Sequence, residues 1–349
     1  MPTVANAAPR RFVSVDVLRG WAVAAMLLVN YPGSWGHVFA PLEHSEWNGF
    51  TPTDLIFPNF LFVVGVSIAL GLRPGASLSK LWLRALRLVL VGMGLYLVAM
   101  WGYDKAHFRI WGVLQRIGLC YGVAATLALT LRPRMQWAVI IGILLGYWAL
   151  LAGNGGYVPW DNLASRVDTW LAGVHNYQFD AATGKAHDPE GLLSTLPAIA
   201  TTLIGVRAGA WLRERGATHL LLAGVAALVI GGLWAIAMPI NKNLWTSSYV
   251  VYAAGWSLLL LALFHWLFDL RGAFPLGRSL GINAITAYAG SWLMACVFEK
   301  LGVFAAAYAQ AAALLDAGKL ASLAVAVVFV ALWWLLMWAM EKKGWRITI

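Results

Sequence analysis

Apolar runs of roughly 20 residues recur along the whole chain. A run of that length crosses the ~30 Å hydrocarbon core of a bilayer as a single helix. Of the 349 residues, 61% are hydrophobic and only 11% are charged, a balance that no soluble α/β protein sustains in such long runs. A membrane β-barrel would instead show short segments of alternating polarity. The 20 tryptophans suit interfacial belts, where an amphipathic ring sits at the headgroup level. The expected fold is therefore all-α: a polytopic helical membrane protein embedded in a lipid bilayer, with about ten spans. They fall near 12–31, 54–72, 80–100, 110–131, 135–152, 192–212, 219–238, 246–267, 279–298 and 319–340. A single transmembrane domain is expected over 1–349. The stretch LGVFAAAYAQAAALL at 301–315 is too short to cross comfortably and is expected to be re-entrant or interfacial.

The formal net charge of +10 in a soluble chain would suggest nucleic acid. Here the basic residues lie between apolar runs and report orientation, so no nucleic-acid partner is expected. With a cytoplasmic N-terminus, each inner segment holds at least two basic residues: Arg10 and Arg11, Arg73 and Lys80, Arg132 and Arg134, Arg213 and Arg215, Arg271 and Arg278, Lys342 and Lys343. The first outer loop, 32–53, holds none. Both termini are expected to be cytoplasmic. The first run contains Asp16 and Arg19 and ends without a small-residue cleavage site, so it should remain as the first span. The polar segment 153–191 exceeds an ordinary connector and is expected to lie outside the membrane as a lid or cleft wall. Cys120 and Cys296 sit inside apolar runs and read as packing residues rather than a disulfide.

The densest polar cluster, EHSEWNGFTPTDLIFPNF at 43–60, stands at the outer lip of the second span. His44 is its titratable centre, a group able to act as base or nucleophile near neutral pH. Glu43, Glu46 and Asp54 are close enough in sequence to orient the ring, while Thr53 and Asp54 also lie where a helix cap belongs. His37 with His44, Glu43 and Glu46 matches no tight metal-ligand spacing, and no metal is expected. Charges inside spans face the protein interior. Asp16 and Arg19, three apart on one helix face, can neutralise each other. Arg116, beside Gln115, has no carboxylate at helical spacing and needs a partner from another helix or a bound anion. Asn283 suits a helix–helix hydrogen bond, and Asn30 suits the end of the first span.

These residues resemble the signature of the heparan-α-glucosaminide N-acetyltransferase family and its bacterial relatives. HSEWNGFTPTDLIFPNFLFVVGVSIAL is the most specific block, and three others follow the family's order: SVDVLRGWAVAAMLLVNYPG, IWGVLQRIGLCY and LGINAITAYAGSW. The charged tail EKKGWRI is also similar. The resemblance implies that His44 is the catalytic residue and that Asn30 assists at the acetyl group. It also implies a donor, cytosolic acetyl-CoA, and an acceptor, the amine of an amino sugar or glycan across the membrane. One departure is that Asn30-Tyr31 runs into Pro32-Gly33-Ser34 rather than a longer glycine run. Eukaryotic members act on heparan fragments in lysosomes, an acceptor this compact chain need not share.

The expected enzyme is an acyl-CoA-dependent N-acetyltransferase of the bacterial inner membrane, with a homodimer left open. His44 would deprotonate the acceptor amine or carry the acetyl group itself. Asn30 or Arg116 would stabilise the oxyanion, and Asp54 or Glu43 would fix the imidazole tautomer. Arg84, Arg87 and Arg278 are the expected phosphate partners at the inner mouth. Trp47 and Asn48 are expected to hold His44 in place or touch substrate, together with Asp16, Arg19, Gln115, Arg116 and Asn283. Two rivals fit the same residues: a secondary transporter of sugars or amino sugars, and an O-acetyltransferase of an envelope polysaccharide.

Overall fold

A computed structural model of the chain describes residues 12–73 and 75–347. Arg10 and Arg11, two of the basic residues used to orient the chain, lie outside the described residues. The helices follow from the solvent. With no water to bond the backbone, each apolar run satisfies its N–H and C=O groups internally. In chain order they are α1 Val13–Asn30, α2 Ile56–Gly71, α3 Leu78–Gly102, α4 Val113–Thr130 and α5 Pro133–Ala152. A short α6, Leu163–Ala172, precedes the hairpin of β1 Gln178–Asp180 and β2 Lys185–His187. Then come α7 Thr195–Glu214, α8 Gly216–Trp234, α9 Ser247–Phe264, α10 Arg278–Ile282, α11 Ala284–Lys300, α12 Val303–Leu315 and α13 Gly318–Lys342.

Among the described residues, 9 helices are long and apolar enough to cross a membrane. The count becomes 10 if α11 and α12, bent by 77° at their junction, form one broken span. The all-α polytopic class and the count of about ten spans agree with the sequence reading. The segment 301–315 is a helix of its own, α12, and the glycine at 302 with φ +68° makes the sharp turn into it.

Burial divides the spans into inner and peripheral sets. In α7, 83% of the apolar window is buried, against 17% in α8, so α7 is the central post and α8 faces outward. α2 packs along α7 backbone to backbone: a Cβ on Gly65 would strike the Thr202 carbonyl, and one on Gly205 would strike that of Phe62. Small residues permit this approach, which replaces hydrophobic driving force with close van der Waals contact. The same logic seats α10 on α1, where Gly281 meets the Asp16 carbonyl. Cys120 and Cys296 are both buried and unpaired, as packing residues should be.

The connections 31–55, 153–191 and 239–246 gather at one end of the bundle. Trp47 Nε1 donates to the Tyr157 carbonyl at 2.7 Å, and Gly49 N donates to the Ile240 carbonyl at 2.7 Å. These are the loops that the charge pattern assigns to a single side. A second small core joins the segment 153–191 to α5 and to the segment 239–246, with Trp47 packed against Tyr147, Leu151, Ala164 and Leu244. That core fixes the segment over the polar cluster.

Candidate active site

Asp54 organises the site because it serves the backbone and a side chain at once. The turn Pro52–Leu55 opens the second span, with Thr51 as its N-cap and Asp54 three residues on. Thr51, not Thr53 or Asp54, is the capping residue. Asp54 Oδ2 accepts from the backbone N–H groups of Thr51 and Ser45, each at 3.0 Å, completing a capping box. Its other oxygen, Oδ1, lies 2.6 Å from His44 Nδ1. Asp54 is fully buried while the His44 side chain is half exposed. Because a carboxylate accepts, the Nδ1 proton stays on the ring and the lone pair is left on Nε2. Glu43 and Glu46 are exposed and take no part in orienting the imidazole. His37 turns away, stacking on Tyr308 with ring centroids 5.5 Å apart.

Lys242 completes the group, and the sequence reading missed it. Its Nζ lies 3.2 Å from both His44 ring nitrogens and 3.9 Å from Asp54 Oδ1. Equal distances to two nitrogens on one five-membered ring place the ammonium over the ring face, out of line with either lone pair. Burial pushes the Lys242 ammonium down from its ordinary range, and the carboxylates of Glu190 and Asp54 oppose that shift. The available signal is that Lys242 is the one basic residue of the segment 239–246. Asn241 Nδ2 donates to Asn48 Oδ1 at 3.1 Å, so the Lys242 loop is tied to the His44 loop. Trp47 and Asn48 thus anchor the histidine through neighbouring loops.

Beneath this group lies a buried charged layer. Arg116 Nη2 donates to the Gly191 carbonyl at 3.1 Å and to Ser194 Oγ, and its guanidinium sits 5.0 Å over the Trp245 ring. Its partner is thus the chain leading into another helix plus an aromatic face, while Nε and Nη1 stay buried with no hydrogen-bond partner among the described residues. Trp245 itself has φ +53°, an uncommon conformation for a bulky residue, held by complete burial between Phe57 and Tyr249. Tyr249 in turn donates its hydroxyl to the Asp54 carbonyl. Arg109 forms a fork on Asp188, Nε to Oδ2 at 2.9 Å and Nη2 to Oδ1 at 2.6 Å, and also reaches Glu190. In the same layer, burial and then the Asp188 charge push the Asp168 carboxyl up to about 7. Burial lowers His187 to about 4.

A cavity of about 720 Å³ occupies the bundle. Its walls include Phe60 and Leu72 of the α2 region, and Val113 and Ala125 of α4. Each pair spans about 18 Å at 1.5 Å per residue. The end near Phe60 lies about 10 Å along the helix from Asp54. At the far end, Arg19, Arg73, Lys80 and Arg84 line it. Arg87 is exposed on α3 and is not part of the lining, and Arg278 lies 3.7 Å from Glu341 instead. Arg19 also bonds Asp16 at 3.1 Å and the Gly281 carbonyl at 2.9 Å, so the expected intramembrane pair exists and touches the cavity.

The remaining candidates are spread out. Asn30 ends α1 half-buried, with no side-chain hydrogen bond to His44 among the described residues. Gln115 donates to the Ile110 carbonyl at 3.1 Å, leaving its own oxygen buried against Gly92. Asn283 stands at the break between α10 and α11 and donates to the Trp345 carbonyl at 3.3 Å.

Taken together, these features define a class: an integral membrane protein with a histidine–carboxylate–lysine group at one end and a basic cavity mouth at the other. Residues 11–238 match the family defined as heparan-alpha-glucosaminide N-acetyltransferase, catalytic. The human heparan-alpha-glucosaminide N-acetyltransferase is 31% identical over 358 residues, covering 82% of this chain and 53% of that protein. The mouse protein of the same name is 31% identical over 363 residues, covering 83% and 54%. The chain belongs to this family. It spans about half the length of the curated relatives it matches.

Proposed function

We propose that the chain is a transmembrane acetyltransferase. It would take the acetyl group of cytosolic acetyl-CoA at one end of the bundle and pass it to the amine of an amino sugar or glycan at the other. The supporting observation is that His44 with Asp54 and the basic mouth at Arg73 stand at opposite ends of one helix. At 1.5 Å per residue Asp54 and Arg73 are about 28 Å apart, close to the thickness of the hydrocarbon core. The chain would sit in the cytoplasmic membrane of a bacterium with its termini inside, as the basic segments favour.

The cavity suits the donor in shape and charge. Arg73, Lys80 and Arg84 would hold the nucleotide phosphates at the mouth. The apolar walls between Leu81 and Phe60 would take the uncharged arm and bring the thioester towards His44. His44 Nε2 would accept the proton of the acceptor amine as that amine attacks the thioester carbonyl, while Asp54 holds the Nδ1 proton and steadies the imidazolium. Asn30 would donate to the carbonyl oxygen as it gains charge. The carbon–sulfur bond then breaks and the thiolate leaves. The alternative order, in which Nε2 attacks first to form an acetyl-imidazole, uses the same residues.

The deciding experiment is release of free CoA by purified protein supplied with acetyl-CoA and glucosamine, repeated with His44→Ala. No CoA release from the parent protein, together with glucosamine uptake into vesicles that His44→Ala leaves unchanged, would favour a transporter. The bent pair α11 and α12 is the feature that such a reading would use.

A further inference from the structure

α7 carries a basic and aromatic face at the end remote from His44. Arg207, Trp211 and Arg215 follow at four-residue spacing and so share one side of the helix and its cap. Both α5 and α8 pack on α7, and Trp211 joins all three. Its ring stacks on Trp137 of α5 at 5.5 Å and meets His219 of α8 edge-on at 4.7 Å. Arg207 has a single hydrogen bond, from Nη1 to Gln136 Oε1 at 3.4 Å, and its Nε is buried with no partner among the described residues. Among the described residues the carboxylate that acts on it, Glu214, already lies 3.7 Å from Arg213. Arg215 adds a second cation beside it, in contact with His219.

Two guanidinium groups with one engaged carboxylate leave positive charge without compensation, and a buried guanidinium nitrogen without an acceptor is unfavourable. An anion resolves both. The surroundings point to its source. Met135 and Ile141 on α5, and Leu221, Leu222 and Val225 on α8, are exposed apolar side chains on the two helices that pack against α7. Such surfaces lie against acyl chains, and the stacked Trp137–Trp211 pair on the same three helices supplies amphipathic rings of the kind that meet headgroups. We propose that the face formed by α5, α7 and α8 binds one anionic phospholipid. The phosphodiester would accept from Arg207 and Arg215, the glycerol would rest at the two tryptophans, and the acyl chains would run along α5 and α8. The cavity mouth at Arg73 and Lys80 is a separate basic feature, because Arg207 and Arg215 are not in its lining.

The test is native mass spectrometry of the full chain in detergent, titrated separately with phosphatidylglycerol, phosphatidylcholine and inorganic phosphate. One phosphatidylglycerol adduct per chain should persist where phosphatidylcholine is lost. Arg207→Gln with Arg215→Gln should weaken it about tenfold or more, the scale of a lost charge-assisted hydrogen bond. Arg207→Lys should restore part of the retention, and its elution on size exclusion checks folding. Arg132→Gln with Arg134→Gln removes exposed charge at the same end and should change retention little. Equal retention of phosphatidylcholine would overturn the proposal, and so would an equal loss in the Arg132 and Arg134 variant. Displacement of the lipid by an equimolar amount of inorganic phosphate would assign the site to a free anion and overturn the lipid reading.

Discussion

Lys242 Nζ rests over the His44 ring, 3.2 Å from each of its nitrogens, although 198 residues separate the two in sequence. Below the same ring plane's edge, Asp54 Oδ1 holds Nδ1 at 2.6 Å. The carboxylate holds one edge of the ring and the lysine covers its face, so two segments far apart in sequence together set the orientation of the imidazole. Glu190, Arg116 and Arg109 act on the same lysine from the layer beneath.

Replacing Lys242 by Met removes the cation that lies over the imidazole and 3.9 Å from Asp54 Oδ1. Turnover in CoA release should fall about tenfold, the scale of one lost charge-assisted contact. Lys242→Arg keeps the charge and should retain most of the turnover. Turnover unchanged in Lys242→Met would show that the lysine contributes packing alone.

His44→Ala should lower turnover by about 10²–10⁴-fold, the usual contribution of a positioned general base or more. Because the side chain is half exposed, the melting temperature should change little. Rates of CoA release and a thermal scan on the same preparation separate the two effects.

Asp54 has two duties, and two variants divide them. Thr51→Ala breaks the cap and should cost about 1 kcal/mol of stability with turnover nearly intact. Asp54→Asn keeps an oxygen for the backbone N–H groups but loses the fixed tautomer of His44. Turnover should fall by about 10²-fold or more while stability falls less than in Asp54→Ala. Denaturation midpoints and single-turnover rates distinguish these outcomes.

Asp168 gives the segment 153–191 a pH dependence whose sign follows from its raised value of about 7. The folded chain holds this proton more tightly than the unfolded chain. Stability from the group is therefore full below the ordinary carboxylate range and is lost as pH rises through about 7. The loss is at most about 4 kcal/mol, from about three units at 1.36 kcal/mol each. Asp168→Asn cannot ionise, so its melting temperature should fall less between pH 5 and pH 8 than that of the parent.

Arg84→Gln and Lys80→Gln each remove a cation from the cavity mouth. Each should raise KM for acetyl-CoA about tenfold, with kcat changed little, because the phosphates lie far from the reacting bond. Arg87→Gln, outside the lining, is the matched control and should leave KM unchanged. Initial-rate kinetics in one buffer of fixed ionic strength provide the comparison.

The span pattern was legible in the sequence, because bilayer thickness and backbone hydrogen bonding impose it locally. Any 20-residue apolar run must become a helix, but the start of the second one was legible only in part: the sequence pointed to Thr53 and Asp54 as its cap, whereas Thr51 is the N-cap and Asp54 closes the box three residues on. The pairing of His44 with Asp54 was legible because the block is contiguous and the two are only ten residues apart. The pairing of Asp16 with Arg19 was visible on the same local ground. Lys242 was not, nor were the Arg116 contact with Trp245 and the cavity mouth at Arg73, Lys80 and Arg19. Each depends on which helices become neighbours. That choice rests on close fits such as Gly65 against Thr202 and Gly20 against Gly277, which carry no periodic signal. Hydrophobicity thus determined what each segment became, and steric complementarity between segments decided which charges met.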